Sequence, residues 1–281
     1  MIHDSPHLTI KDQNLLNRFL KRFSIDAEAD KDHLISALSA AFSCIPYENL
    51  TKIIKSGSMV SPSSAMRYPD ELISDYLKWG TGGTCFSLTA AIISVFNALG
   101  IEAHPVLANR HYGVDTHCGL VIVQSGTIKL LDPGYLLFVP TTVYHDKVST
   151  VNTGTNTIEL RPVSGGQKLE LYTVYRGNRK LRLVYKIAPV DSFTFAKAWE
   201  SSFAWEMMNY PVITSRVEGA QKYLQNKTLS LFSENGSKRI SLSREEQMMC
   251  IAKEFAIDSQ IINRAFLEIK KNGISTPTRP G

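Results

Sequence analysis

The hydrophobic period of this chain changes at Gly100, so it must fold as a helical part followed by a sheet-forming part. Before Gly100 the apolar residues recur at helical spacing. Residues 12–23 place Leu15, Leu16, Phe19, Leu20 and Phe23 on one face, with Asp12 positioned as the N-cap. Residues 29–44 repeat the pattern through Leu34, Ile35, Leu38, Ala41 and Phe42, and Pro46 ends it. A loop is expected over residues 55–64, then a helix over 69–79, then an apolar helix over 86–99 closed by Gly100. Beyond Gly100 strand-like runs dominate, at residues 103–107, 118–123, 127–131, 157–161, 169–175 and 181–187. Such a series predicts a barrel or a strongly bent sheet. Asp191 is placed to cap a helical stretch over 192–208, and runs 229–232 and 239–242 flank the turn Glu234-Asn235-Gly236-Ser237. Ser243 with Glu246 three residues on forms a capping box before a helix over 244–256, and the tail 275–281 reads as disordered. There is no internal repeat and no low-complexity segment.

One thiol sits where a loop turns into the helix 86–99, in Gly82-Gly83-Thr84-Cys85-Phe86. The glycines permit a tight backbone approach, and the free N–H groups and positive dipole end of the helix favour a thiolate. Cys85 is therefore a nucleophile candidate. It needs a base, and His117 with Asp132 fifteen residues later supplies a base and a group to orient it.

Residues 115–124 and 127–132 are rich in β-branched and aliphatic side chains and flank Ser125-Gly126, a two-residue turn. With that turn Gln124 faces Thr127, and His117 lies opposite Gly134. Asp132 then shares the His117 face as its diagonal neighbour, at a Cα separation of about 7–8 Å that side chains bridge. A three-residue loop would put the two on opposite faces, because the side-chain period is two. In such a triad the imidazole takes the thiol proton, and the carboxylate holds the tautomer that offers sulfur an acceptor nitrogen.

These residues carry a resemblance. Gly82-Gly83-Thr84-Cys85-Phe86, His117 with the apolar run at 120–123, and Leu131-Asp132-Pro133-Gly134-Tyr135 resemble the three active-site motifs of the arylamine N-acetyltransferase family. Ile45-Pro46-Tyr47-Glu48-Asn49-Leu50 is similar to that family's Pro-Phe-Glu-Asn-Leu segment, and low-level similarity runs from about Leu15 to Ile269. The resemblance implies an α+β fold with an N-terminal helical bundle (1–100) carrying the cysteine and a central β-barrel (101–190) carrying the histidine and aspartate. A C-terminal α/β lid (191–281) completes it. It implies acylation of Cys85 by acetyl-CoA, as acyl-donor substrate, and transfer to an aromatic amine or hydrazine in a ping-pong cycle. Tyr47, Phe86 and Tyr135 become pocket walls on that reading and ordinary core aromatics otherwise. The chain departs from the family pattern at Thr81 (Arg), Ser87 (Glu), Thr89 (Asn) and Leu136 (Gly), and Pro133 fixes φ beside Asp132. Without the Arg, either another cation partners Glu48 or Glu48 is more solvated.

Composition excludes other classes. The chain has 281 residues, a length at which two or three small units sharing an interface are expected. Net charge is +5 with no long basic run, which gives no case for nucleic acid and suits a phosphorylated substrate such as coenzyme A. No apolar stretch reaches the roughly 18–20 residues of a membrane span, and the start lacks a signal peptide, so a cytoplasmic protein is expected. Cys44, Cys85, Cys118 and Cys250 are too scattered for a disulfide framework. Cys118, on the opposite strand face from His117, reads as core, as do Cys44 and Cys250. His111, His117 and Cys118 match no metal-ligand spacing, so no metal is expected. His33 and His104 read as structural or exposed. Phe203, Trp205, Met207 and Met208 are expected to pack the lid helix. Gly82-Gly83 lacks the Gly-Lys-Ser/Thr of a phosphate loop. The alternatives to the acyltransferase are an amide synthase or thiol hydrolase with the same triad and a non-CoA donor, and an inactive binding module.

Overall fold

The protein is described by a computed structural model that covers residues 5–205, 209–217 and 219–271. Helix α1 (Gln13–Arg22) starts where Asp12 accepts a bond from the Leu15 amide, and α2 (Lys31–Ser43) where Asp30 accepts one from His33. These side chains satisfy N–H groups that a helix N-terminus leaves orphaned. Helix α4 (Pro69–Trp79) opens on a proline and closes on Gly80 at φ +68, a left-handed cap that glycine adopts without a Cβ penalty. Helix α5 (Cys85–Ala98) is buried on every side from Cys85 to Phe96, as a helix apolar all round must be. Its packing partners are α2, α4 and two strands of the barrel.

Eight antiparallel strands follow. They are β2 (Ala103–Arg110), β3 (Gly113–Gln124), β4 (Thr127–Asp132), β5 (Leu137–Thr142), β6 (Ser149–Asn152), β7 (Thr157–Val163), β8 (Lys168–Tyr175) and β9 (Asn178–Lys186). Their order is β5-β4-β3-β2-β9-β8-β7-β6. The two edge strands nearly meet, and the Ser149 hydroxyl donates to the Thr142 carbonyl at 2.6 Å across the gap. The sheet is thus an almost closed barrel, which leaves little exposed edge. The C-terminal part is a five-stranded sheet, β1-β10-β11-β12-β13, covered by α7 (Arg244–Phe255) and α8 (Ser259–Lys271). Four of its strands are β10 (Val212–Val217), β11 (Ala220–Gln225), β12 (Thr228–Ser233) and β13 (Gly236–Ser241), and the edge strand beside β10 is β1 (Tyr47–Glu48) from the N-terminal part. Ser243 and Glu246 form the expected capping box on α7.

Several elements differ from the sequence reading. The loop expected over 55–64 begins with the end of α3 (Leu50–Ser56) and contains a short 3-10 turn, Pro62–Ala65. The sequence pattern does not announce α3, because its buried face is only Leu50, Thr51, Lys52 and Ile53 and it packs on distant α8. The helix expected over 192–208 is α6 (Ser192–Ser201), capped by Asp191 as expected but ended early. There the Ser202 carbonyl and hydroxyl are taken by Lys52, and the chain turns through Ser202–Ala204 to extended Trp205. The Met207 and Met208 expectation, and the tail 275–281, lie outside the described residues. No helix among those residues is long and apolar enough to cross a membrane.

Candidate active site

The hairpin that carries His117 and Asp132 has the two-residue turn. Ser125 and Gly126 both have positive φ, 48° and 73°, the type I′ geometry that matches strand twist. Gln124 faces Thr127 and Leu120 faces Leu131, so parity puts His117 and Asp132 on one face. His117 Nε2 lies 2.6 Å from Asp132 Oδ2, and both side chains are fully buried. The other carboxylate oxygen accepts from the Tyr135 amide at 2.8 Å, which caps the turn Pro133–Tyr135. The Tyr185 hydroxyl donates to Oδ2 at 2.5 Å. With Nε2–H committed to Asp132, Nδ1 is the acceptor, and it receives Arg110 Nη2 at 2.9 Å.

The Gly82-Gly83 loop brings the thiol to this ring. A Cβ on Gly82 would fall on the Pro46 carbonyl group, its carbon at 2.8 Å, so glycine is required by close backbone approach. Gly83 accepts from the Glu48 amide at 3.0 Å and donates to the Pro46 carbonyl at 3.3 Å, which docks the Pro46–Leu50 stretch beside the loop. Cys85 is the first residue of α5, and Thr84 offers no side-chain cap, leaving the helix N–H groups free of that competitor. Gly134 packs between thiol and base, since a Cβ there would sit 2.8 Å from Cys85 Cα and 3.0 Å from His117 Cε1. The Cys85 thiol is held well below its ordinary pKa by a hydrogen bond from Cys118, against the opposing effect of burial, with His117 and Arg110 adding to the lowering. Burial works to lower His117, but the Asp132 carboxylate outweighs it and the imidazole is raised.

Cys118 was expected only as core. It is fully buried, and burial together with the neighbouring Cys85 pushes its own thiol well up. Glu48 has a partner in Arg67, whose Nη1 lies 3.6 Å from Oε1 with both side chains buried. Of the two alternatives for Glu48, the structure has the partner cation, Arg67. Arg67 also donates to Thr51 Oγ1 at 2.8 Å, to the Gly82 carbonyl and to Asp75 at 2.8 Å. Leu136 adopts φ 59°, a left-handed conformation that costs a non-glycine residue about 1–2 kcal/mol. Tyr47 and Tyr135 line a cavity of about 440 Å³ between the barrel and the C-terminal sheet. Phe86 is not among its lining residues. Its ring is fully buried against Phe195, Trp199 and Trp205, at centroid distances of 5.5, 6.3 and 6.3 Å. Near it Lys52, on α3, is buried and bonded to Ser202; burial lowers its ammonium to about 7, with Cys85 opposing. Sequence reasoning missed Arg67, Tyr185 and Lys52, because each acts through a partner remote in sequence, and Arg110, because it reaches His117 only across the β2–β3 pairing. No group of three or more His, Cys, Asp and Glu side chains that could hold a metal occurs among the described residues.

The fold can be compared with solved structures. The arylamine N-acetyltransferase of Mycobacterium abscessus superposes with a TM-score of 0.74 at 14% identity, covering 93% of this chain and 99% of that one. The Mycobacterium marinum arylamine N-acetyltransferase in complex with CoA gives 0.74 at 18% identity, covering 91% and 98%. A Bacillus cereus arylamine N-acetyltransferase with a Cys-His-Glu catalytic triad gives 0.69 at 16% identity, covering 88% and 100%. No protein-family model and no curated protein matches this sequence. The likeness is one of fold: bundle, barrel and C-terminal α/β part arranged as in these enzymes.

Proposed function

We propose that this protein is an acyltransferase that moves an acyl group from a CoA thioester, acetyl-CoA in the simplest case, through Cys85 to a small-molecule amine of the arylamine or hydrazine type. The observation that carries the reading is the buried chain of Asp132, His117 and Cys85, with the thiol held low and the imidazole held high. His117 Nδ1 takes the Cys85 proton, and the thiolate attacks the thioester carbonyl. The tetrahedral adduct collapses to acyl-Cys85, and the CoA thiolate leaves with the proton from His117. The amine then attacks acyl-Cys85, loses its proton to His117, and leaves as the amide while the thiolate is regenerated. Backbone N–H groups at the start of α5 are the donors available to the oxyanion. Asp132 fixes the tautomer, and Tyr185 and the Tyr135 amide fix Asp132. Tyr47 and Tyr135 wall the cavity on this reading, and Phe86 steadies α5 behind the nucleophile. A CoA-bound structure of the same fold supports the donor class. Use of an acyl-CoA accords with a cytoplasmic location.

Intact-protein mass tests the reading. Incubation with acetyl-CoA should add one acetyl group that hydroxylamine removes, and Cys85→Ala should take up none. At mildly acidic pH iodoacetamide should modify Cys85 before Cys44, Cys118 and Cys250. Alkylation at an ordinary rate with no acyl gain would remove the acyltransferase reading. Fast alkylation without acylation would move the donor outside the CoA thioesters, to an amide synthase or hydrolase.

A further inference from the structure

The cavity beside Gly134 and Tyr135 is lined by three arginines from three strands: Arg110 on β2, Arg182 on β9 and Arg216 on β10. Ion pairs of arginine among the described residues belong to Arg67 and Arg179, so none of the three has a carboxylate partner there. Arg110 spends Nη2 on His117 and has a buried Nε with no partner. Arg216 gives Nη1 to the Leu136 carbonyl at 3.0 Å, and its buried Nε is likewise unpartnered. Arg182 gives Nε to Thr173 at 2.8 Å. It is also the extra residue of a bulge, since Leu171 faces Leu183 while Tyr172 faces Leu181. Bulges re-aim side chains beside functional sites.

Burial works to lower the Arg110 guanidinium, but Tyr112, Cys85, Tyr47 and Asp132 around it outweigh that and raise it, whereas burial lowers Arg216 with only Tyr135 opposing. Barrel and C-terminal sheet both contribute, so the cluster is not the by-product of one element. Planar guanidinium groups match carboxylates in two-pronged geometry. The phosphates of a CoA stand a pantetheine arm away from its sulfur. With the thioester at Cys85 they do not reach Arg110, which touches the ring of His117. The anion that reaches it belongs to the small end of a substrate.

We propose that Arg110, Arg182 and Arg216 form a carboxylate subsite beside Cys85, so that the acyl group passed through Cys85, or the amine that receives it, carries a free carboxylate. The transfer chemistry rests on the acyltransferase reading; binding of the carboxylate does not. Tyr135, whose hydroxyl burial pushes up to about 12, stands in the same cavity as a neutral donor.

Protection of Cys85 from iodoacetamide reads binding without turnover. Glutarate and benzoate should slow alkylation saturably, at concentrations at which glutaramide and benzamide do not. Arg182→Gln and Arg216→Gln should each weaken protection by at least about tenfold, the loss of one charge-assisted contact. Arg182→Lys, which keeps the charge and loses the fork, should fall between. Arg182 sits at the exposed rim, so its variants test the subsite without touching the core. Succinyl-CoA against butyryl-CoA, scored by acyl-enzyme mass, tests the acyl source. 4-Aminobenzoate against 4-aminobenzamide, with acetyl-enzyme, tests the acceptor source. Preference for the acid in either arm, reduced in Arg182→Gln, supports the subsite and names its source. Equal handling in both arms, equal protection by amides, or equal protection by inorganic phosphate overturns it. Protection by carboxylates with no acylation from any CoA thioester would leave the subsite standing and remove the acyl-CoA donor.

Discussion

Replacing Arg67 by methionine is expected to destabilise the protein by about 3–5 kcal/mol, the cost of stranding one member of a buried ion pair. Glu48 is fully buried and Arg67 is 3% exposed, with Nη1 3.6 Å from Oε1. Glu48 would keep the Thr51 amide at 3.0 Å and the Thr51 hydroxyl at 2.5 Å. That hydroxyl, however, is itself oriented by Arg67 at 2.8 Å. The Gly82 carbonyl also loses its donor, adding about 1 kcal/mol. Asp75 adds little, because it is 31% exposed and screened. Methionine retains the apolar stem, so the loss reports charge more than cavity. In that background Glu48→Gln needs no counter-charge and should recover at least about 2 kcal/mol. Thr81→Arg in the same background puts a guanidinium on the buried loop before Gly82 and should also recover stability. Alone, it crowds two guanidinium groups on one carboxylate and should destabilise. Thr81 is buried with an unpartnered hydroxyl, so its replacement gives up no hydrogen bond. Urea unfolding at constant m-value measures all four proteins. A loss below about 1 kcal/mol in Arg67→Met, or no recovery from Glu48→Gln, would refute the reasoning.

Two further expectations follow from the site. Asp132→Asn should leave the far-UV circular dichroism intact and cut turnover by about 10⁴-fold, because the amide no longer holds the imidazole in the productive tautomer; near-normal turnover would take Asp132 out of the triad. Lys52 should give stability a pH dependence. Burial lowers its folded-state pKa to about 7, below the unfolded value of about 10.4, so the folded state binds fewer protons between the two. Stability therefore rises as pH climbs through that window and is flat below it, by at most on the order of 4 kcal/mol. The Phe203 ring 4.3 Å from Nζ favours the cation and trims that amplitude. Urea midpoints from pH 6 to 9 should show the slope in the native protein and lose it in Lys52→Met, and an unchanged slope in the variant would rule Lys52 out as its source.

Local rules explain which parts of the fold were legible. Asp12, Asp191 and Ser243 cap the helices for which their sequence positions mark them, because an N-cap needs only a side-chain oxygen and the next turn. Strands β5, β6, β10 and β11 were not legible. Phe138, Pro140 and Thr142 alternate with no clean polar partner, and the β10–β11 pair lacks an Asn-Gly turn of the kind that marks β12–β13. Helix α3 was hidden for a different reason. Its seven residues are stabilised by α8 and by Ile213 and Leu224 of the C-terminal sheet, all far along the chain, and tertiary packing overrides local propensity in so short a helix.

The hairpin shows what a sequence can say about a site and where it stops. Parity follows from a two-residue turn, so placing His117 and Asp132 on one face needed only Ser125-Gly126 and a period of two. The groups that tune the pair obey no such local rule. Tyr185 reaches Asp132 from 53 residues on, and Arg67 reaches Glu48 from the residues that precede α4. A buried carboxylate fixes the need for a counter-charge without fixing where along the chain it comes from, since any backbone that passes within reach can supply it. The arginine cavity obeys the same logic in reverse. Arg110, Arg182 and Arg216 are unremarkable in sequence, and only the fold brings three cations together with no carboxylate among them. A cavity whose lining holds cations and no carboxylate is then the mark of a ligand, and the charge the ligand must carry is the one that lining withholds.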